Sequence, residues 1–141
     1  MEKLLHLSLL GACNQRCVFC AKSGYPQREI PLRECVGTLL RKRKEGFGRL
    51  YLDGGEPGLL KGLPTVCAAA LKLGYRQIVI STNATAFGDG KIISELAILP
   101  AARKRISFSV SMHSREPAVS DRLTGLKGGL EKTLAGLARK R

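Results

Sequence analysis

The chain has no tryptophan, three tyrosines and four phenylalanines in 141 residues. That is too little aromatic surface to interleave with its basic residues as a base-stacking face requires. No stretch approaches the roughly 18 consecutive apolar residues that span a bilayer. The first apolar run, residues 4–10, is too short for a secretory signal, and no small-residue cleavage site follows it. A cytoplasmic protein without membrane contact is therefore expected. Low-complexity tracts and linkers are also missing, so residues 1–141 read as one domain, long enough to bury a real core. Acidic residues are scarce, 11 against 24 lysines and arginines, for a formal charge of +13. The basic runs Arg41-Lys42-Arg43-Lys44 and Arg139-Lys140-Arg141 close predicted helices, where cations complement the helix dipole, while Arg103-Lys104-Arg105 introduces a predicted strand. Such scattered runs describe a solvated surface, leaving an acidic partner as the lesser reading and arguing against nucleic acid.

What is present is a run of cysteines. Five in all is an odd count, and three fall together in Cys13-Asn14-Gln15-Arg16-Cys17-Val18-Phe19-Cys20. Clustered this way they favour reduced, metal-binding thiols over a disulfide framework. Cys35 and Cys67 sit on apolar helix stripes and are expected to pack as small hydrophobes. A structural zinc site or an ordinary electron-transfer cluster takes four protein ligands. A cubane held by three leaves one iron open to a ligand that is not protein. Two other readings stay open at this point: a redox dithiol built on Cys17 and Cys20 alone, and a zinc site completed by His113 or His6.

Hydrophobic periodicity divides the chain into four strand–helix units. Strands are expected at 4–10, 49–52, 77–81 and 105–112, and helices at 31–44, 63–73, 91–98 and from Gly129 onward. Such alternation predicts a parallel sheet with helices packed on it. In the fourth strand Ile106, Phe108, Val110 and Met112 face one way and Ser107, Ser109 and Ser111 the other; in the first, His6 and Ser8 oppose Leu5, Leu7 and Leu9. If the sheet curves toward a barrel, the apolar face takes the helices and the polar face lines a cavity.

The unusual residues all follow strands. The cysteine run follows the first, Asp53-Gly54-Gly55-Glu56-Pro57 the second, Ser81-Thr82-Asn83-Ala84-Thr85 the third and Ser111-Met112-His113-Ser114 the fourth. These are the carboxyl ends of parallel strands, the edge on which such sheets place ligands. The cysteine run, with Phe19 directly before its third cysteine, resembles the signature of the radical S-adenosylmethionine (radical SAM) enzymes, and Gly54-Gly55-Glu56-Pro57 resembles that family's second motif. The resemblance implies an α/β fold, a partial (βα) barrel of parallel strands with about four βα units of the usual six. It implies that Cys13, Cys17 and Cys20 hold a 4Fe–4S cluster whose open iron is chelated by SAM. It implies reductive cleavage of SAM to a 5′-deoxyadenosyl radical, which abstracts hydrogen from a substrate the sequence does not identify.

By the same resemblance Phe19 lies toward the adenine, Gly54 and Gly55 let backbone approach the bound amino acid, Pro57 belongs to the same cofactor-binding turn, and the Glu56 carboxylate accepts from or pairs with its ammonium. Asn83, Ser111 and His113 are hydrogen-bond candidates for the carboxylate and ribose. A reductant such as flavodoxin or ferredoxin is implied as partner. With four units the core is expected to be incomplete at the C-terminus, completed in a longer form or by a second chain. The motif Thr82-Asn83-Ala84 has alanine where many relatives have glycine. Residues 114–128 are expected to be a loop and the one recognition segment, with Asp121 either reaching a substrate or capping a short helix. The alternative of another class is a non-catalytic iron–sulfur or zinc-binding module acting through a partner protein.

Overall fold

The computed structural model describes residues 2–24 and 26–139. Four parallel strands, β1 (Lys3–Ser8), β2 (Phe47–Asp53), β3 (Gln77–Thr82) and β4 (Ile106–Val110), form one sheet in the order β1-β2-β3-β4. Helices α1 (Leu32–Lys44), α2 (Leu63–Lys72) and α3 (Lys91–Ala97) make the first crossovers. A helical turn α4 (Ala102–Arg105) leads into β4, and α5 (Pro117–Thr124) and α6 (Gly129–Ala138) follow it. Sequential strands pair in sequential order, so all four carboxyl ends lie on one rim.

The period-two pattern sorts the faces as expected. Leu5, Leu50, Leu52, Ile78 and Ile80 are buried under the helices, with Leu39, Leu63 and Val66 packed against them. Ile106 and Phe108 join this core from β4, while Ser107 and Ser109 are exposed. Cys35 and Cys67 lie fully in the core. Burial pushes their thiols up to about 11 and about 12, so both behave as inert packing groups. Tyr75 is buried, with its hydroxyl donating to the Leu39 carbonyl at 3.0 Å. Opposite the helices the sheet carries polar rows, His6 beside Tyr51, Ser8 beside Asp53 and Ser81 beside Ser109.

Two expectations are corrected. Arg103, Lys104 and Arg105 form the helical turn α4, because Lys104 and Arg105 N–H groups bond the Ala101 carbonyl, and β4 is shorter than 105–112 at both ends. Residues 114–128 are no open loop: Pro117 starts α5 and Gly125, at φ 63°, ends it in the left-handed conformation glycine tolerates. Of the two readings of Asp121, the cap is the one found: its carboxylate accepts from Gly128 and Gly129 N–H at 3.0 and 3.3 Å at the start of α6. Of the last basic run, Lys140 and Arg141 lie outside the described residues. Among the described residues no helix is long and apolar enough to cross a membrane. A cavity of about 730 Å³ lies along the β4 edge, between Ile93 and Ala97 of α3 and Ile106 and Phe108, and none of the rim residues lines it.

Candidate functional site

The chain leaves β1 along a path fixed by its own backbone. Gly55 N–H donates to the Leu10 carbonyl at 2.7 Å, and Glu56 N–H to the Ala12 carbonyl at 2.8 Å. The turn after β2 thereby becomes the floor on which the cysteine loop begins. Only glycine fits there. A Cβ on Gly54 would stand 2.3 Å from the Leu10 oxygen, and one on Gly55 2.0 Å from the Ala12 oxygen. The sequence led one to expect glycines making room for a ligand; the close approach found is to the chain's own backbone.

The far side of the loop rests on α5. Arg16 and Val18 N–H groups donate to the Thr124 and Leu123 carbonyls at 2.8 and 3.0 Å, filling acceptors that a helix C-terminus leaves open. The segment expected to recognise substrate therefore buttresses the cysteines. After Cys20 the chain is tied back by Lys22, whose ammonium lies 2.8 Å from Asp53 Oδ1 and 2.9 Å from Ser8 Oγ. Asp53 also accepts from Ser8 Oγ and from His6 Nε2, the latter at 2.6 Å. Sequence reasoning named Asp53 in the run after the second strand but gave it no role, and it passed over Lys22, which comes from a loop with no periodicity.

Burial acts on Asp53 to raise its pKa, yet hydrogen bonds from Lys22, Ser8 and His6 outweigh it and hold the carboxyl below the usual range. A carboxylate depressed on folding stabilises at pH values above its unfolded pKa, near 3.9, and that contribution is lost as pH falls through the folded value. Asp53→Asn should therefore lower stability by about 1–3 kcal/mol at neutral pH. Denaturant titrations from pH 7 down to pH 3 should show the wild-type advantage shrinking below about pH 4.

Glu56 is the main departure from expectation. It is 1% exposed, and its oxygens point inward. Oε1 accepts from Gly58 N–H at 2.7 Å and from the Thr82 hydroxyl, and Oε2 from Asn83 N–H at 2.6 Å. Burial raises its pKa despite these three donors. The carboxylate is a brace between the turn after β2 and the end of β3, with no free oxygen turned to an incoming ammonium. Glu56→Ala would strand three buried donors, at a cost of about 3–5 kcal/mol in denaturation experiments. Glu56→Gln, which keeps one acceptor oxygen, should cost less. Pro57 is buried at the start of the short 3₁₀ turn Pro57–Leu59.

Asn83, 6% exposed, reaches the cysteine loop: its Nδ2 donates to Asn14 Oδ1 at 2.9 Å and to Cys13 Sγ at 3.9 Å. Ala84 follows at φ 61°, left-handed and fully buried, a conformation that glycine adopts without strain. Helix α6 presses on this turn. Thr133 Oγ1 donates to the Asn83 carbonyl at 2.9 Å, and Gly136 lies so close that a Cβ would stand 1.9 Å from the Ala84 oxygen. At the end of β4, Ser111 N–H donates to the Thr82 carbonyl at 2.9 Å, and His113 meets Phe19 edge to face with ring centroids 4.6 Å apart. Ser111, His113 and Phe19 are exposed. The rim residues from all four strand ends are thus joined into one structure, to which Asn14 and Thr85 are unforeseen additions.

The three thiols suit an iron–sulfur cluster by their mutual influence. Burial raises the Cys13 thiol, and the charges of Glu56 and Cys20 add to it; burial raises Cys17, and the charges of Cys13 and Cys20 add to it. The three cysteines lie on one short loop, and a cationic group bound there would favour their thiolates together. Cys13 and Cys20 are exposed at the loop surface and Cys17 is half-buried. Among the described residues no three His, Cys, Asp or Glu side chains are grouped to hold a single metal ion. A cubane asks for wider spacing, one thiolate to each iron. His6, one of the two fourth ligands considered for zinc, is engaged by Asp53.

The family model of the Radical SAM superfamily matches residues 7–140. Over 143 residues the chain is 30% identical to a GTP 3′,8-cyclase of Xanthomonas axonopodis pv. citri, covering 95% of this chain and 41% of that protein. It is 28% identical over 137 residues to a probable GTP 3′,8-cyclase of Sulfolobus acidocaldarius, covering 94% and 41%. The chain therefore spans about two fifths of the length of these relatives. The crystal structure of Streptococcus suis SuiB bound to S-adenosylmethionine superposes with a TM-score of 0.64 at 21% identity, over 87% of this chain and 28% of that one. SuiB bound to precursor peptide SuiA gives 0.67 at 19% identity, over 91% and 28%. These two likenesses show the fold, a partial barrel of parallel strands.

Proposed function

This chain belongs to the Radical SAM superfamily, and from that premise we propose that it binds a 4Fe–4S cluster and SAM and serves reductive SAM cleavage. The observation that carries this reading is the trio Cys13, Cys17 and Cys20, free cysteines on one loop at the strand-end rim, while Cys35 and Cys67 are committed to the core. When bound, the cluster and SAM supply one-electron cleavage to methionine and a 5′-deoxyadenosyl radical that takes hydrogen from a substrate. The protein's part is to hold and shield. The loop is held from three sides, by the Gly54–Gly55 turn, by α5 and by Lys22, so the backbone that carries the thiolates is in place before metal binds.

In this reading the exposed backbone and side chains of the rim serve the cosubstrate. Gly54 to Pro57 border its amino acid end, with Glu56 as the brace that keeps the turn rigid. Ser111 and His113 offer exposed hydrogen-bonding side chains, and Phe19, backed by the His113 ring, offers an apolar face to the adenine. The polar rows of the sheet would face the substrate. The relatives' name makes GTP the first substrate to test for the whole protein. A net charge of +13 suits an acidic electron donor of the flavodoxin or ferredoxin kind in a cytoplasmic setting. Further βα units, in the same chain or a second one, would cover the β4 edge and close the cavity.

Anaerobically reconstituted protein, given SAM and dithionite, should form methionine and 5′-deoxyadenosine in equal amounts. The rate should be slow, because an open sheet face leaves the reaction unshielded from water. Protein that carries one zinc and forms no 5′-deoxyadenosine would instead support a non-catalytic metal-binding module.

A further inference from the structure

We infer that Asn83 is a positioning residue for the cluster, donating through its side-chain amide to the Cys13 sulfur and thereby raising the cluster's reduction potential. The inference rests on the reading that the three cysteines hold that cluster. Its basis is a closed ring of hydrogen bonds. Asn14 Nδ2 donates to Thr85 Oγ1 at 2.7 Å, Thr85 Oγ1 to Asn83 Oδ1 at 2.7 Å, and Asn83 Nδ2 to Asn14 Oδ1 at 2.9 Å. Thr85 N–H adds a second donor to Asn83 Oδ1 at 3.0 Å.

Every donor and acceptor in the ring runs one way. Reversing the Asn83 amide would set its NH₂ against the Thr85 backbone N–H, a donor that cannot turn, and its oxygen against the Asn14 oxygen. The orientation is therefore fixed, and the second N–H of Nδ2 is left facing Cys13 Sγ at 3.9 Å. That sulfur also accepts from Gln15 N–H at 3.4 Å. The backbone on both sides of Asn83 is held too, its N–H by Glu56 and its carbonyl by Thr133 of α6. A donor on a ligating sulfur draws charge from the thiolate, which favours the more negative reduced cluster. The β3 turn would thus set how readily the electron arrives.

The test is the midpoint potential of the reconstituted cluster, read by EPR during a redox titration, with iron and sulfide measured on the same samples. The Asn83→Leu variant, which lacks the donor, should carry a full cluster at a clearly more negative potential. Thr85→Val, which removes the hydroxyl donor to Asn83 Oδ1 and leaves the Thr85 N–H to hold it, loosens the amide and should move the same way by less. Full clusters at the wild-type potential in both variants would overturn the inference, as would variants that only lose iron without shifting what remains. If Asn83→Leu does not fold, the isosteric Thr85→Val decides alone. Wild-type protein without four irons would fail the underlying reading instead, before any variant is compared.

Discussion

Cys17→Ala should abolish cluster assembly while leaving the fold intact. The residue's sulfur makes one weak contact, to Gln15 Oε1 at 3.6 Å, so little packing is lost. Its neighbours Arg16 and Val18 stay bonded to the end of α5, and the loop keeps its course. Only a ligand disappears. Changes to groups that merely orient a metal's ligands cost 10–100-fold, so loss of a ligand should lower reductive cleavage by more than about 100-fold. Iron should fall from four per chain to near zero, with the denaturation midpoint within experimental error of wild type. A variant that kept four irons and normal 5′-deoxyadenosine formation would remove Cys17 from the site.

The second large effect is expected where no ligand is changed. Gly55→Ala places a methyl 2.0 Å from the Ala12 oxygen and 2.6 Å from the Gly11 oxygen, both backbone atoms that cannot swing aside. Relief requires the turn after β2 and the lead-in to the cysteines to separate. That breaks the Gly55–Leu10 and Glu56–Ala12 hydrogen bonds and displaces the chain entering Cys13. The cost should be about 3 kcal/mol or more, beyond ordinary overpacking because backbone must move. Iron content should fall with it. Gly37 in α1 is the control: nothing lies within 4 Å of its Cβ position, so Gly37→Ala should raise stability by about 0.5–1 kcal/mol through helix propensity alone. Equal effects from the two alanines would contradict the steric account.

Why the sequence reveals some of this and hides the rest follows from the range of each signal. The strands and α1 to α3 are visible because alternation and 3.6-residue spacing are local records of which side is buried, as Ile78 and Ile80 or Leu39 and Val66 illustrate. The rim is visible because parallel strands carry their carboxyl ends to one side. Helix α5 is short, and its ends, Pro117 and Gly125, are as common in turns as in helices. Its part in supporting Arg16 and Val18 depends on a contact about a hundred residues apart in sequence, which no periodicity encodes. The same holds for Glu56. A glutamate after two glycines looks solvent-facing until the fold brings Thr82 and Asn83 to it. Resemblance named the family, while the partners the fold gives this carboxylate, Gly58, Thr82 and Asn83, are set by contacts no motif records.

The most direct measurement is iron and sulfide per chain in oxygen-free protein, followed by EPR of the reduced cluster before and after adding SAM. Four irons and four sulfides with a SAM-dependent change in the spectrum are predicted, because three thiolates leave one iron free to take the cosubstrate. A cluster whose spectrum ignores SAM, or a preparation holding zinc and no sulfide, would contradict the account.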